Sequence, residues 1–348
     1  MTPSSELANP MTVDPDTGRR AALHDFLLRC GAEPRTLTVA SADASFRRYW
    51  RVERHGRSVI VMDSPPDTEP VAPWLAIGAQ LAAAGLHVPS VHAADVLQGF
   101  LLIDDFGART YLPELNDDTV DTLYGTALDA LFVLQTRLDG QAIERYDEAR
   151  LQMELELLPS WLLQRHLGYR LDCADWELLE LTYHRILATV QSQPYCFVHR
   201  DFHSRNLMLS PPLPGIIDFQ GALYGPLTYD LASLLRDCYI RWPSARVDAW
   251  VETYRLRLVA AGRVDVDAAQ FRRWFDFTGL QRHIKVLGLF CRLCYRDDKP
   301  HYLADLPLVF DYVREVCARY IELADFAALL TRVTDNADLR IRRTEPAA

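Results

Sequence analysis

The stretch His199-Arg200-Asp201-Phe202-His203-Ser204-Arg205-Asn206 constrains this chain more than any other. It follows the strand-like run Tyr195-Cys196-Phe197-Val198 and precedes two short apolar runs, Leu207-Met208-Leu209 and Gly215-Ile216-Ile217, joined by Ser210-Pro211-Pro212-Leu213-Pro214. The second run delivers Asp218-Phe219. The order is strand, polar loop of the form H-x-D-x-x-x-x-N, hairpin, and returning carboxylate. A hairpin brings the chain back to where it began, so Asp218 is expected beside the loop. Three oxygen groups are then gathered in one place: Asp201 to accept or orient a hydroxyl proton, and the Asn206 amide and Asp218 carboxylate to hold a divalent ion. Mg²⁺ suits such a pair because it keeps waters and nucleotide phosphates in its shell. The pattern points to phosphoryl transfer.

Around this element the texture of the chain changes once. Residues 36–103 are strand-rich. The runs Tyr49 to Val52 and Ser58 to Met62 flank the turn His55-Gly56 and read as a hairpin. A helix follows, with Pro70 near its first turn and Val71, Trp74, Leu75, Gly78, Leu81 and Ala82 on one face. Phe100-Leu101-Leu102-Ile103 reads as a buried strand ending at Asp104-Asp105-Phe106-Gly107. Beyond Gly107 helical periodicity dominates. Asn116 or Asp117 is placed to cap a helix striped by Val120, Leu123, Tyr124, Ala127, Leu128, Leu131 and Leu134. Another helix carries Trp176, Leu179, Tyr183, Ile186, Leu187 and Val190. The expected organisation is a tail over 1–19, a sheet-bearing lobe over 20–103, a hinge at 104–107, a helical lobe over 108–335 and a frayed end at 336–348. Two lobes imply a cleft, where small ligands bind.

Composition narrows the class. The 348 residues include 47 acidic and 37 basic side chains, a net charge of −10, which argues against a nucleic-acid partner. Residues 1–20 hold no apolar run of the secretory kind, and no stretch approaches the roughly 18 apolar residues needed to span a bilayer. Seven scattered cysteines fit reduced thiols and a cytoplasmic location, with no membrane partner. Cys291 and Cys294 form one C-x-x-C inside a helical pattern and read as buried apolar residues.

The loop and returning Asp218 resemble the catalytic and metal-binding segments of the aminoglycoside-phosphotransferase-like kinases, a branch of the protein-kinase-like fold. The resemblance covers about residues 21–320. It implies an α+β, bilobal fold with a small antiparallel-sheet lobe and a larger helical lobe. It also implies ATP and Mg²⁺ as cofactors, Asp201 as catalytic base, Asn206 and Asp218 as metal ligands, His199 as a buttress of the loop, and Asp230 as its anchor. Ile103 and Asp104 match the hinge that would hold adenine. The nucleotide side departs from the pattern. The turn at 41–48, containing Ser45, Arg47 and Arg48, has no glycine; the strand Ser58-Val59-Ile60-Val61-Met62-Asp63 has no lysine; and Glu69 lies just before the next helix instead of within it. Arg47 or Arg48 is left to supply the positive charge, since a guanidinium can bind two phosphate oxygens at once.

A narrower resemblance joins residues 44–49, 221–239 and 280–288 to the anomeric N-acetylmuramate/N-acetylglucosamine kinases of bacterial cell-wall recycling, which also lack the strand lysine. It implies transfer of the ATP γ-phosphoryl to a C1 hydroxyl and passage of the product to a sugar-1-phosphate nucleotidyltransferase. One physical feature is compatible with an anionic sugar. Residues 280–296 carry Arg282, Lys285, Arg292 and Arg296 with no acidic residue, and these four fall within roughly an 80° sector of one helix face. Arg282, His283 and Lys285, with His203 and Arg205 from the loop, are the expected sugar-binding residues. Trp161, Trp242 and Trp274 read as core residues, with stacking on a sugar as the alternative. Kinases of the same fold with another acceptor, and a nucleotide-binding scaffold without activity, are the rival readings.

Overall fold

The structure is a computed structural model and describes residues 15–41, 47–334 and 337–343. The described residues divide into two compact units: those up to Ala72 with Pro89–Asp105, and Pro73–Val88 with those from Phe106 onward. The division departs from the expected boundary in one segment, because most of the helix expected in the sheet-bearing lobe groups with the second unit.

The first unit is built on helix α1 (Pro15–Arg29) and strands β1 (Ala32–Ser41), β2 (Arg48–Arg54) and β3 (Arg57–Asp63), followed after helix α2 (Ala72–Ala83) by β4 (Val91–Asp95) and β5 (Phe100–Asp104). The five strands form one antiparallel sheet in the order β1-β2-β3-β5-β4. The expected hairpin is β2–β3, in unbroken register from Arg48 opposite Asp63 to Arg54 opposite Arg57. His55 and Gly56 both take positive φ in its two-residue turn, as that tight connection requires. The core joins Leu23, Phe26 and Leu27 of α1 to Val52, Val59, Val61, Phe100 and Leu102 of the sheet. α1 starts at Pro15, inside the stretch expected as a tail.

The second unit is mainly helical: α3 (Val120–Arg137), α4 (Glu148–Leu155), a π-helical segment (Leu158–His166), α5 (Cys173–Gln191), α6 (Tyr229–Leu235), α7 (Ser244–Ala260), α8 (Ala268–Arg296), α9 (Leu306–Arg319) and α10 (Ala324–Thr334). Two short strand pairs carry the loops of interest, β6 (Tyr195–Val198) with β9 (Leu223–Pro226), and β7 (Leu207–Met208) with β8 (Gly215–Ile216). α8, capped by Asp267 accepting from the Gln270 N–H, is the axis against which α4, α5, α6, α9 and the π segment pack. Its Gly288 has a packing reason: a Cβ there would lie 2.3 Å from the Leu157 backbone. Glycine costs a helix interior about 1 kcal/mol relative to alanine, and the close approach to the π segment offsets it.

Several local expectations are corrected. α3 is regular from Val120, and Asn116 opens the turn that leads into it: its side-chain oxygen accepts from the N–H groups of Asp118 and Thr119, as a cap does, and its carbonyl from the Val120 N–H at 3.0 Å, so the helix starts later than expected. Trp176 is exposed on α5 although Leu179, Tyr183, Ile186, Leu187 and Val190 are buried. The chain end does not fray throughout: Leu339 is buried, its carbonyl bonded to His166 at 3.0 Å, and the Arg343 N–H donates to the Tyr295 hydroxyl. All seven cysteines are free thiols, with Cys291 and Cys294 buried as expected. Trp242 and Trp274 are buried, each donating its indole N–H to a neighbouring hydroxyl, Tyr124 and Ser192 respectively. Trp161, expected in the core with them, is only partly buried. Among the described residues no helix is long and apolar enough to cross a membrane.

Candidate active site

The polar loop after β6 is held by carboxylates from one short helix and its exit. Asp230, in the first turn of α6, is fully buried and accepts from the backbone N–H groups of His199 (2.6 Å) and Arg200 (2.9 Å). Asp237, just past the end of α6, accepts from the Ser204 N–H at 2.9 Å and the Tyr239 N–H at 3.1 Å. These bonds bracket Asp201. They also explain how Arg200 is kept at φ 77°, a left-handed conformation that ordinary side chains avoid. Burial pushes the Asp230 carboxyl up to about 7, against the two N–H donors that favour its charged form.

His199 lies beneath the loop. Its Nε2 donates to the Ile217 carbonyl at 3.1 Å, and its Nδ1 accepts from the Asp201 N–H at 3.3 Å, partners that assign the neutral tautomer. Burial pushes its pKa down to about 4, which keeps it neutral. The ring thereby ties the Asp201 loop to the segment entering Asp218.

Asp201, Asn206 and Asp218 are brought together. The Asn206 side-chain amide donates to the Asp201 carbonyl at 3.0 Å and lies 3.4 Å from Asp218 Oδ2. The Ile217 N–H closes back on the Asn206 carbonyl at 3.2 Å. Asp218 is exposed and left-handed, at φ 62°. Because the Asn206 nitrogen is committed to the loop, its Oδ1 is the atom presented for ligation. An amide oxygen and an exposed carboxylate are hard donors suited to Mg²⁺. Among the described residues no three or more His, Cys, Asp or Glu side chains form a metal cage, so a metal here would take its other ligands from water and phosphate oxygens.

The Asp201 side chain is 45% exposed, and its Oδ1 lies 3.6 Å from Arg282 Nη1. Arg282 is 3% exposed and also donates to the Arg200 carbonyl at 2.8 Å. Burial would raise the Asp201 pKa, but Arg282 first, then Lys285, His203 and Arg200, hold it well below the usual carboxylate range.

The basic stripe of α8 changes meaning in three dimensions. Lys285 is buried with its Nζ 2.9 Å from Glu154 Oε1, and Glu154 also takes Arg200 Nη2 at 3.0 Å and the Tyr146 hydroxyl. Arg292 is half-buried, and Arg296 is exposed and paired with Asp297 at 2.8 Å. Glu154, from α4, supplies the acid that residues 280–296 lack. Lys285 is therefore occupied by an internal ion pair, which corrects its expected role as an open anion site. His283 is corrected too. It is fully buried, stacked on Tyr312 with ring centroids 4.8 Å apart, and its Nε2 donates to the Arg236 carbonyl. One helical step from Arg282 turns its ring into the core.

His203 and Arg205 stay at the loop. The His203 ring meets the Tyr239 ring edge-on at 5.5 Å, and the Arg205 guanidinium lies 3.5 Å over that same ring with Asp305 at 4.0 Å. In the first unit, Arg47 contacts Glu69 and Ser64, and Arg48 is exposed at the start of β2. Ile103 is buried in β5, and Asp104 accepts from the Ser90 N–H (2.9 Å) and His92 (2.8 Å). Burial would raise the Asp104 pKa, and these donors hold it below its ordinary value. Ser45 lies outside the described residues. Glu154, Tyr146, Asp237 and Tyr239 had no role assigned from the sequence. Glu154 sits in no motif, and only the fold brings it to Arg200 and Lys285.

The model of the phosphotransferase enzyme family matches residues 36–277, which includes the whole loop and hairpin. The chain belongs to that family. It is 43% identical over 303 residues to an N-acetylmuramate/N-acetylglucosamine kinase of Pseudomonas putida, covering 87% of this chain and 89% of that protein. A protein of the same name from Neisseria meningitidis is 40% identical over 309 residues, covering 87% and 92%. Among solved structures, an ADP-bound aminoglycoside phosphotransferase has a TM-score of 0.58 at 17% identity, covering 87% of this chain and 99% of its own. A choline kinase of Streptococcus pneumoniae has a TM-score of 0.60 at 12% identity, covering 87% and 99%. Family membership makes the chain a phosphotransferase, with the kinase-like α+β fold that its sheet and helical remainder display.

Proposed function

We propose that this phosphotransferase moves the γ-phosphoryl of ATP to the anomeric C1 hydroxyl of N-acetylmuramate, N-acetylglucosamine or both. The observation that carries the chemistry is the carboxylate of Asp201, pinned between Arg282 and the bracketed loop, beside the Asn206–Asp218 oxygen pair. The relatives named as N-acetylmuramate/N-acetylglucosamine kinases support the acceptor.

Asp201 remains ionised across the working pH range and accepts the hydrogen bond of the acceptor hydroxyl, fixing its line of attack. A carboxylate so weakly basic takes the proton late. That is sufficient for a loose phosphoryl-transfer transition state, and an anomeric hydroxyl is more acidic than an ordinary alcohol. Asn206 and Asp218 would hold Mg²⁺, whose contribution is neutralisation of charge on the phosphates. Positioning and electrostatics then carry most of the rate. The product, a sugar 1-phosphate, is suited to a nucleotidyltransferase leading toward UDP-N-acetylmuramate in cytoplasmic peptidoglycan recycling.

Phosphorus NMR of the product from N-acetylmuramate and ATP tests this. Phosphorus coupled to H1 of the sugar is expected. Phosphate on another oxygen, or no turnover of either amino sugar while choline, homoserine or an aminoglycoside is phosphorylated, overturns it. A methyl glycoside, which lacks a free C1 hydroxyl, is expected to be inert.

A further inference from the structure

Only two of the chain's 37 basic residues are lysines, Lys285 and Lys299, so residues 1–284 contain none. A cation that meets nucleotide phosphates from the first unit must therefore be an arginine. The two arginines preceding and opening β2 differ in their surroundings. Arg48 is exposed and sits opposite Asp63 in the hairpin register. Arg47 has a side chain only 10% exposed, its Nη1 lies 3.0 Å from Glu69 Oε2, and its Nε donates to Ser64 Oγ at 3.2 Å.

Ser64 and Glu69 are themselves fixed. The Ser64 N–H donates to the Gly99 carbonyl at 2.9 Å, extending the strand pairing one residue past Asp63. The Ser64 hydroxyl donates to the Glu69 carbonyl, and the Glu69 N–H closes a turn on Pro65 at 2.8 Å. Ser64 is two residues beyond Met62 on an extended segment, so both side chains belong to the same face. The guanidinium of Arg47 is thus anchored on the face that carries Met62, where a strand lysine would have stood. A partly buried ion pair contributes little to stability once desolvation is counted, which makes a purely structural role a weak reason for it. A guanidinium can be oriented through one edge while donating to phosphate oxygens through another.

We propose that Arg47 is the residue of this chain that binds the nucleotide phosphates, with Glu69 and Ser64 as its positioning residues. The cation has moved from the middle of β3 to the entry of β2, and its carboxylate partner from within a helix to the turn before α2. The inference rests on the reading that the protein uses ATP.

Calorimetry of the full-length protein with Mg-ADP and with adenosine, without sugar, tests it. Arg47→Met is expected to weaken ADP about tenfold or more and leave adenosine within about twofold. Glu69→Gln is expected to weaken ADP several-fold with the same selectivity. Loss of ADP and adenosine affinity in equal measure indicates a structural role and overturns the proposal, as does ADP affinity unchanged within about twofold in Arg47→Met. If Arg47→Met fails to fold, Arg47→Lys replaces it: an ADP loss of at least threefold with adenosine retained supports the proposal, and unchanged ADP affinity overturns it. Wild-type protein that binds ADP but phosphorylates no amino sugar sinks the acceptor reading and leaves this inference standing. Wild-type protein that binds no ADP sinks both.

Discussion

The loop at residues 199–218 and the segment at residues 47–69 both supply charged groups, but they are built differently. The loop is fixed by backbone: two positive-φ residues, two carboxylates accepting main-chain N–H groups, and a neutral histidine tying its two ends. Its candidate site side chains, Asp201, Asn206 and Asp218, stand on a backbone held by those bonds. The segment at 47–69 is fixed by side chains: one arginine, one serine and one glutamate meeting across a strand end and a turn. A side-chain cluster can be reached from several sequence positions, so its cation can move from strand to turn. A backbone-defined loop has no such freedom.

The largest effect is expected at Asp201. Asp201→Asn preserves shape and removes the carboxylate, and kcat is expected to fall about 10³-fold with folding intact by circular dichroism. Retention of more than about a tenth of the activity removes Asp201 from its assigned role. Asp230→Ala tests whether backbone bracing is what matters. It leaves two buried N–H groups unpaired at about 1–3 kcal/mol each, and releases Arg200 from its left-handed conformation. A loss of kcat near a hundredfold together with a lower urea midpoint is expected; lost stability with full kcat would separate the bracing from the chemistry.

A smaller effect is expected from pH. His199 and His283 fall to about 4 and about 3 in the folded protein from an ordinary 6.5. The unfolded chain therefore binds protons first as pH drops below about 6.5, and stability is lost on acidification at about 1.4 kcal/mol per pH unit for each. Asp230, raised to about 7 from 3.8, acts in the opposite sense between those values, since there the folded state holds the extra proton. The net of these three groups is acid destabilisation worth about one proton. Urea unfolding of His283→Gln at about pH 7, 6 and 5 should show a flatter slope than wild type, and an unchanged slope contradicts the burial of a neutral His283. The smallest effect belongs to Arg48→Ala, expected to change the KM for ATP by less than about threefold. A larger change than that of Arg47→Met would reverse the assignment between the two arginines.

How much was legible in advance follows the same division. H-x-D-x-x-x-x-N and the returning Asp218 were readable because hairpin geometry and loop length convert sequence spacing directly into spatial proximity. Asp230 came only from the family resemblance, because the N–H groups it accepts from, those of His199 and Arg200, lie 31 and 30 residues earlier in the chain. The meaning of Lys285 and His283 was not readable. Helical periodicity places Lys285 on a basic face, but not Glu154 opposite it, which comes from a helix far earlier in the chain. Periodicity also counts His283 as a polar neighbour of Arg282, whereas a rotation of about 100° carries it into the core against Tyr312.

The sheet-then-helix order, the β2–β3 hairpin, the trio of oxygen groups at Asp201, Asn206 and Asp218, and the absence of a strand lysine follow from the amino-acid order alone, because each depends on neighbours close in the chain. Tertiary packing set the rest: Glu154 pairs with Lys285, Asp237 shares the bracing of the loop with Asp230, and Arg47 meets Glu69 at the entry of β2. Those outcomes depend on which distant side chains share a buried space, where an unpaired charge is costly and a partner is required.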